Sequence, residues 1–195
     1  MVSFPPLAPS ALWVARFLKE YSTTGDKQTG IEKANAEINS PKEFGRFVLV
    51  DTKGDRKVQS LALEGGGRQL RSLNKLSLLK LSEHGDWRRV HLGAIESILG
   101  RKPFYRELES PLRKVYDNQK LRTLEEINMA IFEVVFSCLM ENIDVAQVTT
   151  YQGSPVINER GKEIAEDMMP EVSILQALAS HGKETLLGLL AIEKD

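Results

Sequence analysis

At Trp87 the period of the apolar residues changes, and that break limits what the chain can fold into. Upstream, Arg46–Asp51 and Lys57–Leu63 are β-rich runs of single-strand length flanking Thr52-Lys53-Gly54-Asp55, a hairpin signal. Downstream, Trp87, Val90, His91, Ala94, Ile95 and Ile98 recur at i, i+3, i+4, i+7, i+8 and i+11, the spacing of one helix face. Short strands before the break and helical periods after it predict an α/β fold. The expected architecture is a single domain over residues 1–195. It has a mixed sheet, an N-terminal strand-loop-helix and a helical block after residue 86.

Local punctuation refines this. Val2–Pro6 is a short apolar run ending in two prolines and reads as a first strand entering a loop. A helix then begins near Ser10 with Leu12, Trp13, Ala15, Arg16, Phe17 and Leu18, and polar Ser22–Gly30 reads as a loop. Gly65-Gly66-Gly67 closes the second hairpin strand, and Leu76–Leu81 is a candidate for another strand. Asp86 is placed to cap the Trp87 helix; Gly100 ends it, and Pro103 opens the next. Thr123 with Glu126 forms a capping box ahead of Ile127, Ile131, Val134, Val135 and Cys138; Ser173 with Gln176 forms a second. Ile143–Tyr151 is β-branched and reads as a late strand, and Lys183–Ile192 as a last helix.

Composition excludes several function classes. The net charge of −1 gives no bulk attraction to nucleic acid or an anionic membrane. No stretch approaches the roughly 18 apolar residues of a membrane span. The first twenty residues lack a basic start followed by an apolar run, so the expectation is a soluble, cytoplasmic chain without a signal peptide. The single cysteine, Cys138, reads as a buried reduced thiol, and with three dispersed histidines no metal site is expected.

No complete catalytic motif is present. Gly25–Gly30 has Walker-like glycine spacing but Ile31 and Glu32 follow it, and there is no Gly-x-Ser-x-Gly, His-Glu-x-x-His or Cys-x-x-Cys. His91, one turn after Trp87, is the best candidate for a general acid or base, with Trp87 as a wall on which a sugar or base rests. The alternative is a core histidine satisfied by a backbone carbonyl, with Trp87 simply packing. Ser10 stands at a helix N-terminus, where exposed N–H groups attract phosphate or carboxylate, or else is an ordinary cap. Lys42 and Arg46 precede a strand and either hold an anionic group or are solvated edge residues. Tyr105 can direct its hydroxyl into a cleft, while Phe104 reads as core.

Four segments also carry a resemblance. They are Trp87–Tyr105 (WRRVHLGAIESILGRKPFY), Pro170–Leu190 (PEVSILQALASHGKETLLGLL), Leu7-Ala8-Pro9-Ser10 with Trp13, Phe17 and Leu18, and Lys42–Val50. Together they resemble the WbqC-like family of bacterial surface-polysaccharide gene clusters. The chain departs from that pattern in showing Arg46 without a paired arginine, Gln176 where an aspartate is usual, and Leu99 where a tyrosine is frequent. The resemblance implies a role in O-antigen or capsule biosynthesis. It further implies transfer of an acyl or aminoacyl group to an amino sugar, with pathway enzymes as partners. In that reading His91 and Tyr105 are catalytic, and Ser10, Lys42, Arg46 and Trp87 bind substrate. The competing reading is a non-catalytic module holding a nucleotide sugar or a pathway partner; a third is a diverged homologue with no active site. The sequence leaves the cofactor open. The enzyme reading expects the Ser10 loop, Arg46 and His91 to converge on one pocket for an anionic or sugar-nucleotide ligand.

Overall fold

The computed structural model describes residues 2–38, 40–66, 68, 70, 73–140, 159–169, 171–185 and 188–189. Helix α1 (Ala11–Thr24) starts where Ser10 Oγ accepts from the Trp13 N–H at 3.3 Å. It stops at Gly25, whose φ of 66° is left-handed and whose N–H donates to Tyr21 O at 2.8 Å. Asp26 at once caps α2 (Lys27–Ala36), its Oδ2 accepting from the Thr29 N–H at 2.8 Å. The loop expected over Ser22–Gly30 is therefore a joint of two residues between two helices. Its polar composition reflects solvent exposure, and one left-handed glycine plus one capping carboxylate suffices to end one helix and begin the next. Gly30 lies where these helices touch; a Cβ there would sit 2.9 Å from the Phe17 ring.

The first strand expected at Val2–Pro6 is not formed. Proline has no N–H to give to a ladder, and two buried asparagines take the segment's carbonyls instead. Asn35 Nδ2 donates to Val2 O at 3.0 Å and to Phe4 O at 2.9 Å, while its Oδ1 accepts from Trp13 Nε1 at 3.0 Å. Asn128 Nδ2 donates to Pro5 O at 3.0 Å and to Phe44 O at 2.8 Å. Backbone polar groups buried away from water need partners, and side-chain amides supply them here.

The hairpin forms, with its second strand ending at Ser60 rather than running to the expected Leu63. Strands β1 (Arg46–Val50) and β2 (Arg56–Ser60) pair antiparallel, from Arg46 opposite Ser60 to Val50 opposite Arg56. Asp51 Oδ1 accepts from the N–H groups of Lys53 and Asp55 in the turn. Strand β1 buries Phe47, Leu49 and Val50, whereas β2 is mostly exposed and carries edge charges. Among the described residues the sheet has these two strands alone. The α/β class is present, with most of its regular structure helical. The free edge of β1 is covered by a helix start: Ser173 donates its N–H to Val48 O, and Val50 donates to Gln176 Oε1, both at 2.9 Å. A backbone donor and a side-chain acceptor thus occupy the places a third strand would take. The candidate strand Leu76–Leu81 is a 3-10 turn over Leu73–Leu78, followed by single bridges Lys80–Thr123 and Leu63–Leu81. The expected strand Ile143–Tyr151 lies outside the described residues.

Among the described residues five further helices follow: α3 (Trp87–Leu99), α4 (Tyr105–Asp117), α5 (Leu124–Met140), α6 (Glu159–Asp167) and α7 (Ile174–His181). The α3 stripe is Trp87, His91, Ile95 and Leu99, with Ile98 half-buried and Val90 exposed. Asp86 leaves the α3 backbone uncapped because its carboxylate pairs with Arg89. The Thr123 box forms: the Glu126 N–H donates to Thr123 Oγ1 at 3.2 Å, and the Thr123 N–H to Glu126 Oε2 at 2.9 Å. At α7 only half of the box forms. Ser173 Oγ accepts from the Leu175 N–H at 3.3 Å, while Gln176 is committed to Val50. Of the helix expected over Lys183–Ile192, the described residues hold a 3-10 turn at Gly182–Glu184 and helical positions at Thr185, Gly188 and Leu189. One hydrophobic cluster runs from Val2 to Leu189, with Trp13, Phe17 and Phe132 ring-to-ring within it. Among the described residues no helix is long and apolar enough to cross a membrane.

Candidate functional site

The segment Pro6–Ser10 is wedged between the short turn Pro41–Gly45 and the start of α7. Leu7 donates its N–H to Glu43 O at 3.4 Å, Ala11 to Val172 O at 3.2 Å, and Ile174 to Pro9 O at 2.8 Å. Ala8 adopts φ 42°, left-handed for a residue that has a side chain. This turn sets Ser10 beside Ser173 as an isolated antiparallel bridge, so the N-termini of α1 and α7 meet.

A groove of 540 Å³ opens along this junction. Arg16 reaches it from α1, Arg46 from β1 and Arg56 from β2, with Ser10 at the α1 cap; Glu37, Glu43 and Glu171 also line it. Arg56 is paired with Glu171 at 2.8 Å, both side chains exposed. Burial pushes the Glu43 carboxyl up, and the Arg46 guanidinium beside it pulls the other way. The lining therefore combines fork-shaped cationic donors with carboxylate acceptors. An anion alone would meet Glu37 and Glu43 unfavourably. A ligand bearing both phosphates and hydroxyls can use every one of these groups.

The convergence expected of Ser10, Arg46 and His91 is partial. Ser10 and Arg46 share the groove. His91 is buried behind β1, where its ring packs 5.6 Å from Phe47 and 5.4 Å from Trp87. Phe47 follows Arg46 on the strand, and successive side chains face opposite sides. His91 Nε2 lies 3.0 Å from Ser60 O. A carbonyl only accepts, so Nε2 carries the proton and Nδ1 accepts from the Tyr116 hydroxyl at 3.5 Å. Burial pulls the His91 ring below its ordinary value, and the fully buried Tyr116 hydroxyl is pushed up by the same cause. The geometry matches a core histidine satisfied by a carbonyl.

The remaining candidates scatter. Trp87 donates Nε1–H to Ser82 O at 3.0 Å and lines a separate groove of 400 Å³ with Arg88. Arg88 stacks 4.6 Å over the indole and donates to the carbonyls of Tyr116 and Leu121 at 3.2 and 2.6 Å. Tyr105 is in the core, and burial pushes its hydroxyl up, with Glu109 and Glu96 adding to the effect. Phe104, read as core, is exposed to 36% and leans on Gly182. Lys42 is exposed on the Pro41–Gly45 turn and is not part of the arginine-lined groove. Cys138 is half-buried.

Sequence reasoning passed over Arg16, Arg56 and Glu43. Arg56 was within reach, since hairpin pairing sets it opposite Val50 and so near α7. Arg16 and Glu43 had no local signal, because their proximity depends on the docking of the Pro6–Ser10 turn. Among the described residues no cluster of three His, Cys, Asp or Glu side chains is placed to hold a metal ion.

Comparison with curated proteins gives no match, and comparison with solved structures gives none. A model of the WbqC-like protein family matches residues 48–171, from β1 to the residues just ahead of α7. That match spans more than half of the chain, which therefore belongs to the WbqC-like family.

Proposed function

We propose that the chain binds a sugar nucleotide in the arginine-lined groove and serves bacterial surface-polysaccharide biosynthesis. One observation carries this reading: Arg16, Arg46 and Arg56, from three different elements, open with Ser10 onto one groove that also offers carboxylate acceptors. Guanidinium groups match phosphate oxygens in pairs, and carboxylates accept from ribose hydroxyls. The pathway assignment rests on the resemblance of the segments around Ser10, Arg46, Trp87 and Ser173 to the family.

A second reading is the transfer of an acyl or aminoacyl group to an amino sugar. Glu43 favours it. Transfer to an amine needs a group that takes up a proton at the ligand, and this carboxyl, pushed up by burial, lines the groove. In this reading Glu43→Gln loses transfer and keeps binding.

Isothermal titration with UDP, dTDP and their glucose conjugates tests the binding reading. Wild-type protein is expected to bind at least one of these nucleotides. Arg46→Ala and Arg16→Ala are each expected to weaken it about tenfold, the loss of a charge-assisted hydrogen bond. Wild type that takes up none of them, or arginine variants that bind as wild type does, would overturn it.

A further inference from the structure

A second cavity, of 130 Å³, adjoins the arginine-lined groove at Ser173, which lines both. Its wall holds His181 at the end of α7, Asp167 at the end of α6, Lys102 in the turn between α3 and α4, and Ser180 and Gln176 from α7. Three separate elements thus bring hydrogen-bonding side chains to a space of monosaccharide scale. We infer that this cavity is a sugar subsite, taking the hexose ring of a ligand whose diphosphate lies in the arginine-lined groove. The inference rests on the nucleotide reading of that groove.

The donor and acceptor pattern supports it. His181 Nε2 lies 2.8 Å from Asp167 Oδ2. An ionised carboxylate only accepts, so Nε2 donates to it, and Nδ1 is left as a second polar atom of the ring, unclaimed among the described residues. The His181 side chain is only 17% exposed whereas Asp167 is 69% exposed. The carboxylate therefore fixes the orientation of an otherwise sheltered ring. Gln176 is oriented in the same way. Its Oε1 is committed to the Val50 N–H, so the amide must present its NH₂ as donor. Lys102 adds a second donor, and the Ser180 hydroxyl serves as either. A hexose presents hydroxyls that each donate and accept, which suits a wall holding one ring nitrogen, two fixed donors and one adaptable hydroxyl. The apolar Met168, Val172 and Ala177 complete the lining and suit the carbon face of a sugar ring. A divalent cation is disfavoured by Lys102, and an extended apolar ligand by the small volume.

The test compares sugar nucleotides with their sugar-free counterparts on full-length protein. Isothermal titration is run with UDP-glucose against UDP and dTDP-glucose against dTDP, on wild type, His181→Ala and Asp167→Ala. Wild type is expected to prefer the sugar conjugate about tenfold, the worth of its added hydrogen bonds. Both variants are expected to lose that margin while keeping wild-type affinity for the free diphosphate. Unchanged diphosphate binding also reports that the variants are folded, and Asp167, being exposed, can be removed without opening the core. A margin that persists in both variants overturns the subsite, as does wild type that binds conjugate and diphosphate equally; either result leaves the groove reading standing. Wild type that binds neither diphosphate removes the groove reading and the subsite with it.

Discussion

Val50 donates its backbone N–H to Gln176 Oε1 at 2.9 Å, across 126 residues of sequence. Val50 is buried, so losing this acceptor leaves an N–H without water. Gln176→Ala is expected to destabilise the protein by about 1–3 kcal/mol, the cost of an orphaned buried donor. Gln176→Glu retains an oxygen at that place and is expected to lose less. Urea unfolding of the two variants measures the difference, and equal losses would mean that the hydrogen bond contributes little.

His91 links stability to pH. Burial favours its neutral form, so the folded ring takes a proton less readily than the unfolded one, whose value is about 6.5. As pH falls below that value the unfolded state binds the proton first, and stability falls until the folded ring is protonated as well. The melting temperature of wild type is therefore expected to drop, as pH falls below about 6.5, more steeply than that of His91→Gln. The variant starts from lower stability because Ser60 O and the Tyr116 hydroxyl lose a partner. Parallel curves for the two proteins would show that His91 does not titrate differently on unfolding.

The α3 stripe separates positions that look alike in sequence. Ile95 is fully buried and Val90 is 57% exposed. Ile95→Ala is expected to cost about 2–5 kcal/mol through lost burial and a residual cavity. Val90→Ala is expected to cost under about 0.5 kcal/mol. Chemical denaturation of each variant checks the pair, and similar losses at both positions would mean that the helix is rotated.

Asn35 holds the N-terminal segment with three hydrogen bonds, to Val2 O, Phe4 O and Trp13 Nε1. Asn35→Leu is expected to destabilise more than Trp13→Phe. The first orphans two buried carbonyls and an indole N–H, each at about 1–3 kcal/mol before relaxation. The second orphans one oxygen and removes some packing. Amide exchange over residues 2–10 is expected to rise in Asn35→Leu, and unchanged protection there would count against the clamp.

The continuous hydrophobic cluster leads us to expect that residues 1–195 unfold as one unit. Limited proteolysis is expected to yield no fragment that keeps a cooperative transition by itself, and two such fragments would refute the single-domain expectation.

What the sequence disclosed follows the range of the forces involved. The hairpin, the Thr123 box and the buried positions of α3 depend on neighbours within a few residues, and their patterns are visible locally. The α1–α2 joint was obscured because a glycine and an aspartate end and start helices with the same residues that make loops. The Val2–Pro6 segment looked like a strand because its apolar side chains are buried, as in a strand. Its backbone partners, Asn35 and Asn128, are 31 to 33 and 123 positions away. The site shows the same limit. Ser10 and Arg46 carried signals of their own, at a cap and at a strand start. Arg16, Glu43 and the Asp167–His181 pair acquire meaning only from the docking of α7 against β1 and the Pro6–Ser10 turn.

The Ser10–Ser173 bridge also bears on the order of events during synthesis. Arg16, Arg46 and Arg56 leave the ribosome early, but the wall that Ser173 and Glu171 contribute emerges more than a hundred residues later. Nascent chains fold as they elongate, and contacts this distant in sequence form slowly. A chain halted before α7 would carry its cationic side chains beside an uncovered β1 edge, a surface open to adventitious strand pairing. On the proposed reading, ligand capture would then mark completion of the fold, because the groove that the arginines line is closed only when α7 has docked.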